Sequence, residues 1–421
     1  MHIEQTTLPG GLTVVTANLP DYESAAFVVA VRAGSRDETT ANTGVAHFLE
    51  HMAFKGTRTR SAFDIAVTVE CLGAQINAFT NQEMTVYHIT GLRDAAADAL
   101  EILGDILTAS RFAMDDVLIE RAVIAQEIAQ GNDDPHTLCI EGLLATAYRE
   151  QPMGRPIIGA PAVVAALTDT DLRAFVNRHY SASNIVIVAT GNIAHAWALE
   201  AATRHFAVLP SADPPARRVA PSYDGGYHRH TRADFQQVNI SMGFPSVAMD
   251  APDFFAHKML AAALGGGMAS PLFQEVRNKR GLVYYVGAGA HNGADAGLFL
   301  IQAGTTPDKL AEFFTVAGAE AVRIGGAVEE RDHLRARNLF LAELAVVKER
   351  PAQLAFYLAN QVFRRGEATG PDIDLAAVRA VTVDDLRRAA AVIFKTPPTL
   401  SLVGPIDDAD YPGMLRSALA G

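Results

Sequence analysis

A chain of 421 residues, 49 % hydrophobic and 19 % charged, carries enough apolar material for sizeable cores and is not of the disordered type. Its length predicts about two to four domains. The net charge of −12 argues against nucleic acid as the main partner; it serves solubility first and weakly favours basic substrates. The N-terminus shows no basic stretch followed by an apolar run, and no apolar segment is long enough to span a membrane. Cys71 and Cys139 both have apolar neighbours, as buried free thiols do. The expectation is a cytoplasmic protein with no membrane partner.

In chain order, Leu12–Thr16 and Ala25–Val31 alternate as strands, and Ala41–Lys55 reads as a helix. On that helix His47 and His51 are four residues apart and share a face. Two neutral imidazoles so placed are a ready pair of zinc ligands. Glu50 projects beside them, where a carboxylate can take a proton from a metal-acidified water. This is the inverted arrangement His-x-x-Glu-His. The alternative is two solvent-exposed histidines with a coincidental glutamate. Asp115–Gly131 reads as a second helix, with Val117, Ile124 and Ile128 on one side and Glu120 and Glu127 nearly on one face. A catalytic metal needs a third protein ligand and an open fourth position. These glutamates are candidates; a solvated acidic face is the alternative.

Leu167–Arg173 followed by Asn184–Ile193 matches Val381–Arg387 followed by Thr399–Ile406, at an offset of 213 to 214 positions. Each unit reads as a capped helix and then a strand ending at glycine. Ile89–Arg93 lines up with Gln302–Thr306, and Asp134-Pro135 with Arg350-Pro351. Self-similarity at so long a period predicts a domain duplication. The proline-rich stretch Leu209–Pro221 separates the copies. The expected domains are therefore 1–209, a linker at 210–221, and 222–421. Strand groups followed by helix groups predict an α+β fold: two similar domains, each an antiparallel sheet with helices packed on one face.

The run His47-Phe48-Leu49-Glu50-His51-Met52-Ala53-Phe54-Lys55-Gly56-Thr57 resembles the signature of the pitrilysin family of inverted-motif zinc metallopeptidases. It most resembles the branch that holds the mitochondrial processing peptidase and its bacterial relatives. The resemblance covers essentially the whole chain, duplication included. It implies zinc, peptide-bond hydrolysis and a clamshell chamber closed between the two halves. It also implies His47, His51 and Glu127 as the metal ligands, Glu50 as the general base and Glu120 as an accessory glutamate. Gly265–Val286 resembles the family's C-terminal stretch, whose arginine and, seven residues on, tyrosine reach the substrate. That implies Arg277 and Tyr284, although Pro271 stands where the family often has arginine. Tyr285 points to the other strand face and is expected in the core. Gly73–Thr80 resembles the family's edge strand beside the metal, so Asn77, Ala78 and Phe79 are expected to take up substrate; an ordinary sheet edge is the alternative.

At an offset of 214 the positions of His47–His51 hold Ala261–Gly265, so the second copy lacks the motif and one Zn2+ per chain is expected. The expected function is a zinc-dependent endopeptidase acting on peptides or unfolded segments bound in extended form between the two domains. The alternative is a non-catalytic or hetero-oligomeric partner subunit of a processing peptidase complex. The intact His47, Glu50, His51 and Glu127 count against it. Relatives of this kind are often dimers, and a homodimer is expected.

Overall fold

The computed structural model describes residues 1–213 and 218–420. Residues 214–217, inside the expected linker, lie outside the described residues. The first half of the chain runs through strands β1 (His2–Thr7), β2 (Thr13–Asn18) and β3 (Ser24–Val31) to helices α1 (Val45–Met52) and α2 (Ala62–Cys71). Strands β4 (Gln75–Thr80) and β5 (Thr85–Leu92) follow, then α3 (Ala96–Thr108), α4 (Met114–Asp133), α5 (Pro135–Ala147), α6 (Pro161–Val164), α7 (Asp169–His179), β6 (Ile185–Gly191) and α8 (His195–Phe206). The second half runs β7 (Gly226–Thr231), β8 (Val238–Ser246), α9 (Phe254–Gly265), β9 (Val283–Asn292), β10 (Gly297–Thr305), α10 (Leu310–Gly326) and α11 (Glu330–Glu349). It ends with α12 (Pro351–Arg365), α13 (Pro371–Ala380), α14 (Val383–Ile393), β11 (Thr399–Gly404) and α15 (Tyr411–Ala420).

Among the described residues the strands form two sheets, ordered β1-β2-β6-β3-β5-β4 and β7-β11-β8-β10-β9. Apart from the extra β1, the orders correspond strand for strand. The α+β class holds, but each sheet is mixed: β2 runs parallel to β6, and β7 parallel to β11. The late strand of each half inserts beside the first strand of the repeat instead of extending a meander. Every residue of β6 and of β11 is buried, as a central strand covered on both faces requires. The preceding helices begin alike. Thr168 and Asp171 form a capping box at α7, and Thr382 and Asp385 form its counterpart at α14. Both strands end at a glycine in a conformation that side chains avoid, Gly191 at φ +127° and Gly404 at φ +144°.

Two compact units result, and each draws on discontinuous stretches of chain. One comprises Met1–Ile128, Arg155–Val219 and Ala345–Pro371; the other comprises Ala129–Gly154, Ala220–Leu344 and Asp372–Gly421. In the first, one face of the sheet packs on α1, α3, α7 and α8. Its other face, with Val15, Ala26, Val28, Val86 and Val188, is covered by Leu354, Leu358 and Val362 of α12. In the second unit Leu143 and Ala147 of α5 cover Leu298 and Leu300 of β10. Helices therefore lie on both faces of each sheet, not on one face as expected, and the added helix comes from the other half of the sequence. Both crossing helices start with a proline at the first turn, Pro135 after the cap Asp134 and Pro351 after Arg350. Among the described residues no helix is long and apolar enough to cross a membrane. Cys139 is buried, whereas Cys71, in the last turn of α2, is exposed.

Candidate metal centre

Helix α1 is short and mostly buried, with Val45, Ala46, Phe48, Leu49 and Met52 against the core. That anchoring leaves His47, Glu50 and His51 on its other side. Its N-terminus is secured by a residue outside the helix: the buried Glu38 carboxyl oxygens accept from the Gly44 and Ala46 amides, each at 2.9 Å. Helix α4 brings Glu120 and Glu127 to the same place. The His47 and His51 rings lie 4.7 Å apart, centroid to centroid. Glu127 Oε2 is 3.8 Å from His47 Nε2 and 3.5 Å from His51 Nε2. One ligand atom from each of these three residues lies within 4.8 Å of the others. This set suits zinc in chemistry and number, two imidazoles and one carboxylate. The Glu127 side chain is 38 % exposed, so the cluster keeps a solvent-facing side.

Electrostatics prepare these groups. Burial, and secondarily the neighbouring His51, push the His47 imidazole down to about 4, which keeps it neutral and its lone pair free near neutral pH. Burial raises the Glu50 carboxyl, opposed by a hydrogen bond from Thr80, whose Oγ1 donates to Glu50 Oε2 at 2.7 Å. Glu120, 3 % exposed, places Oε2 at 3.0 Å from His51 Nδ1. A carboxylate there fixes the tautomer that turns Nε2 outward.

Comparison with known proteins shows the family. Residues 13–161 match the family model described as insulinase (peptidase family M16), and residues 166–340 the one described as peptidase M16 inactive domain. An uncharacterized zinc protease of Rickettsia felis is 33 % identical over 95 % of this chain and 97 % of its own. The chain belongs to peptidase family M16. An M16 peptidase is a hydrolase acting on peptide bonds. Also similar are an uncharacterized zinc protease of Streptomyces coelicolor, 35 % identical over 96 % of this chain and 90 % of its own, and the mitochondrial-processing peptidase subunit beta of Blastocladiella emersonii, 30 % identical over 98 % and 91 %. The resemblance to pitrilysin-type and processing peptidases is thus borne out. A protease from Helicobacter pylori shares the fold, with a TM-score of 0.88 at 24 % identity over 96 % of this chain and 99 % of its own.

The other residues expected to serve this M16 peptidase are distributed as follows. Strand β4 is the edge of its sheet. Ala78 faces the core beneath α1, whereas the Phe79 ring meets Phe356 of α12 on the opposite face. The Ala78 amide donates to Asn77 Oδ1 at 2.8 Å. Arg277, in the π-helical turn Phe273–Asn278, lies over the Phe273 ring at 4.6 Å and over the Tyr284 ring at 5.6 Å. Tyr284 is 75 % exposed on the edge strand β9, while the Tyr285 hydroxyl donates to Asn239 at 2.7 Å. Arg277 and Tyr284 belong to one unit and the His47 cluster to the other.

Three contacts escaped the reading of the sequence: Glu38 on the helix N-terminus, Thr80 on Glu50, and an ion pair from Lys55 to Glu120. Thr80 follows Ala78 by two residues, so strand periodicity alone puts both on one face. Lys55 follows His51 by four, the spacing of a shared helical face. Glu38 carried no such signal, because it acts from a loop.

Proposed function

We propose that this M16 peptidase is a zinc-dependent endopeptidase that hydrolyses peptides or unfolded segments held in extended form, with one zinc per chain on His47, His51 and Glu127. The observation that carries the reading is the convergence of those three donor atoms within 4.8 Å, with Glu50 one position before His51. Zinc held by His47, His51 and Glu127 would supply Lewis acidity, making water easier to deprotonate and a peptide carbonyl more electrophilic. Glu50 takes the proton from the attacking water and passes it to the leaving amine; burial raises its basicity and Thr80 steadies one oxygen. The edge strand β4 supports an extended substrate through main-chain hydrogen bonds, the Ala78 amide exchanging its Asn77 partner for a substrate carbonyl. Arg277 and Tyr284 join the reading as groups that hydrogen-bond substrate backbone and the developing oxyanion.

Digestion of a peptide library by the purified chain, with and without a chelator, tests this reading. Internal cleavages that vanish with chelation and return with zinc support it; absence of cleavage by the zinc-loaded chain overturns it. Cytoplasmic residence and a homodimer belong to the same proposal. Sedimentation velocity checks the second: a single species at the monomer mass refutes it.

A further inference from the structure

Glu120 is a nearly fully buried carboxylate, and both its oxygens are claimed. Oε2 receives His51 Nδ1 at 3.0 Å, and Oε1 pairs with Lys55 Nζ. Among the described residues no other lysine or arginine makes an ion pair with Glu120. The adjacent Arg121 is turned away, donating to the Leu167 carbonyl. Lys55 arrives on the turn that closes α1, where its amide donates to Met52 O at 3.2 Å and that of Phe54 to His51 O at 3.3 Å. The same few residues thus deliver a metal ligand and the cation that holds the ligand's partner.

We infer that Lys55 is a positioning residue for the metal centre: its ammonium holds the Glu120 carboxylate in the orientation from which Glu120 fixes the His51 ring with Nε2 toward Glu127. This rests on the zinc reading above. A surface lysine paired with a surface glutamate would contribute little. Here the partner is buried, and a buried carboxylate stripped of its cation is left with an uncompensated oxygen. The carboxylate then turns toward whatever donor remains, and the His51 ring loses its fixed orientation. Among the described residues the ammonium pairs with Glu120 and with none of His47, His51 and Glu127, so its effect on the metal ligands passes through Glu120.

The test uses the full-length chain and measures zinc affinity by competition with a chromophoric chelator, alongside the thermal midpoint of the metal-free protein. Lys55→Met keeps the aliphatic stem and is expected to weaken zinc roughly 10–100-fold, the range for lost outer-shell partners. Lys55→Arg keeps the charge and should stay within a few-fold of wild type. In a Glu120→Gln background Lys55→Met should cost nothing further. Lys55 is about one-third exposed, so these variants should fold; should Lys55→Met lose its thermal transition, Lys55→Gln serves in its place. Wild-type zinc affinity in the charge-removed variant overturns the inference. So does a Lys55→Arg variant as weak as Lys55→Met, or full additivity with Glu120→Gln. A wild-type chain that binds no zinc overturns the zinc reading itself, and this inference with it.

Discussion

The two halves share a strand order, a capping box and a glycine strand end, yet one presents a cluster of metal ligands and the other does not. Where α1 carries His47, Glu50 and His51, the repeat offset gives Ala261, Leu264 and Gly265 on α9. These are buried, and α9 packs close upon β9: a Cβ added to Gly265 would lie 2.3 Å from the Ala288 nitrogen. The position corresponding to His51 therefore lacks room even for alanine. Helices α4 and α11, and the prolines that follow them, align at an offset of 216, so Glu120 corresponds to the buried Ala336 and Glu127 to Glu343, a carboxylate with no histidine at the α9 positions matching His47 and His51. The same architecture is stable with either surface, so the chemistry is an addition to the fold and not a condition of it. In the second unit the space that side chains would need is taken up by closer helix–sheet contact.

The largest way to break this comparison is at the motif itself. His51→Ala should abolish stoichiometric zinc, and Glu50→Gln should retain zinc while turnover falls about 10²–10⁴-fold. Metal analysis beside peptide hydrolysis reads both; full zinc occupancy in the first, or near-normal turnover in the second, would assign the roles elsewhere. Next, Tyr284→Phe should cost roughly 10²–10³ in turnover if its hydroxyl serves the oxyanion, and Tyr285→Phe far less. The reverse ranking would mean that β9 presents its other face to the substrate. Overpacking comes third. Gly265→Ala should lower stability by about 1–3 kcal/mol, with a matching fall in thermal midpoint; an unchanged midpoint would refute the closeness of α9 to β9.

The capping boxes sharpen the comparison. Thr168→Ala and Thr382→Ala should each cost about 1 kcal/mol, and by similar amounts, since the two boxes have the same geometry. Denaturant unfolding measures both, and a large inequality would mean that the copies have diverged in more than chemistry. The smallest effect is a pH dependence. Burial pushes the Glu38 carboxyl up to about 8 from 4.5, against the pull of its two amide donors. Between those values the folded chain keeps a proton that the unfolded chain has released. The resulting stabilisation is full below pH 4.5 and is lost as pH rises through about 8. Glu38→Gln does not titrate, so its thermal midpoint should vary less across that window than wild type's; identical profiles would exclude Glu38 as a contributor.

Much of this was legible in the residues. The four-residue histidine spacing, the seven-residue glutamate spacing and the repeat offset are local or periodic signals, and the structure brings His47, His51, Glu120 and Glu127 together. The run Ile185–Val188 read as a strand ending at glycine, but nothing local states which strands it will separate or that both its faces will be covered, so the parallel pairs and the second helical layer were missed. The crossing of α5 and α12 was invisible for a related reason. Their proline starts mark where a helix begins, while the sheet that receives it is decided by surfaces hundreds of residues away. Cys71 has apolar neighbours in sequence, yet it lies on the outward side of the last turn of α2, where neighbours along the chain are not neighbours in space.

The crossing of α12 has a consequence for biosynthesis. The strands that build the first sheet have all been synthesised once Gly191 is made, but the helix that covers Val15, Val28 and Val188 ends at Arg365. At about 5–20 residues per second, that face waits on the order of 10–35 s for its cover. For that interval a broad valine-rich surface stands open on an incomplete protein, available to holding chaperones or to its own kind. A fragment ending at residue 209 would remain in that state permanently. Expressed alone it should be recovered as aggregate, and supplying residues 222–421 from a second gene in the same cell should rescue its solubility.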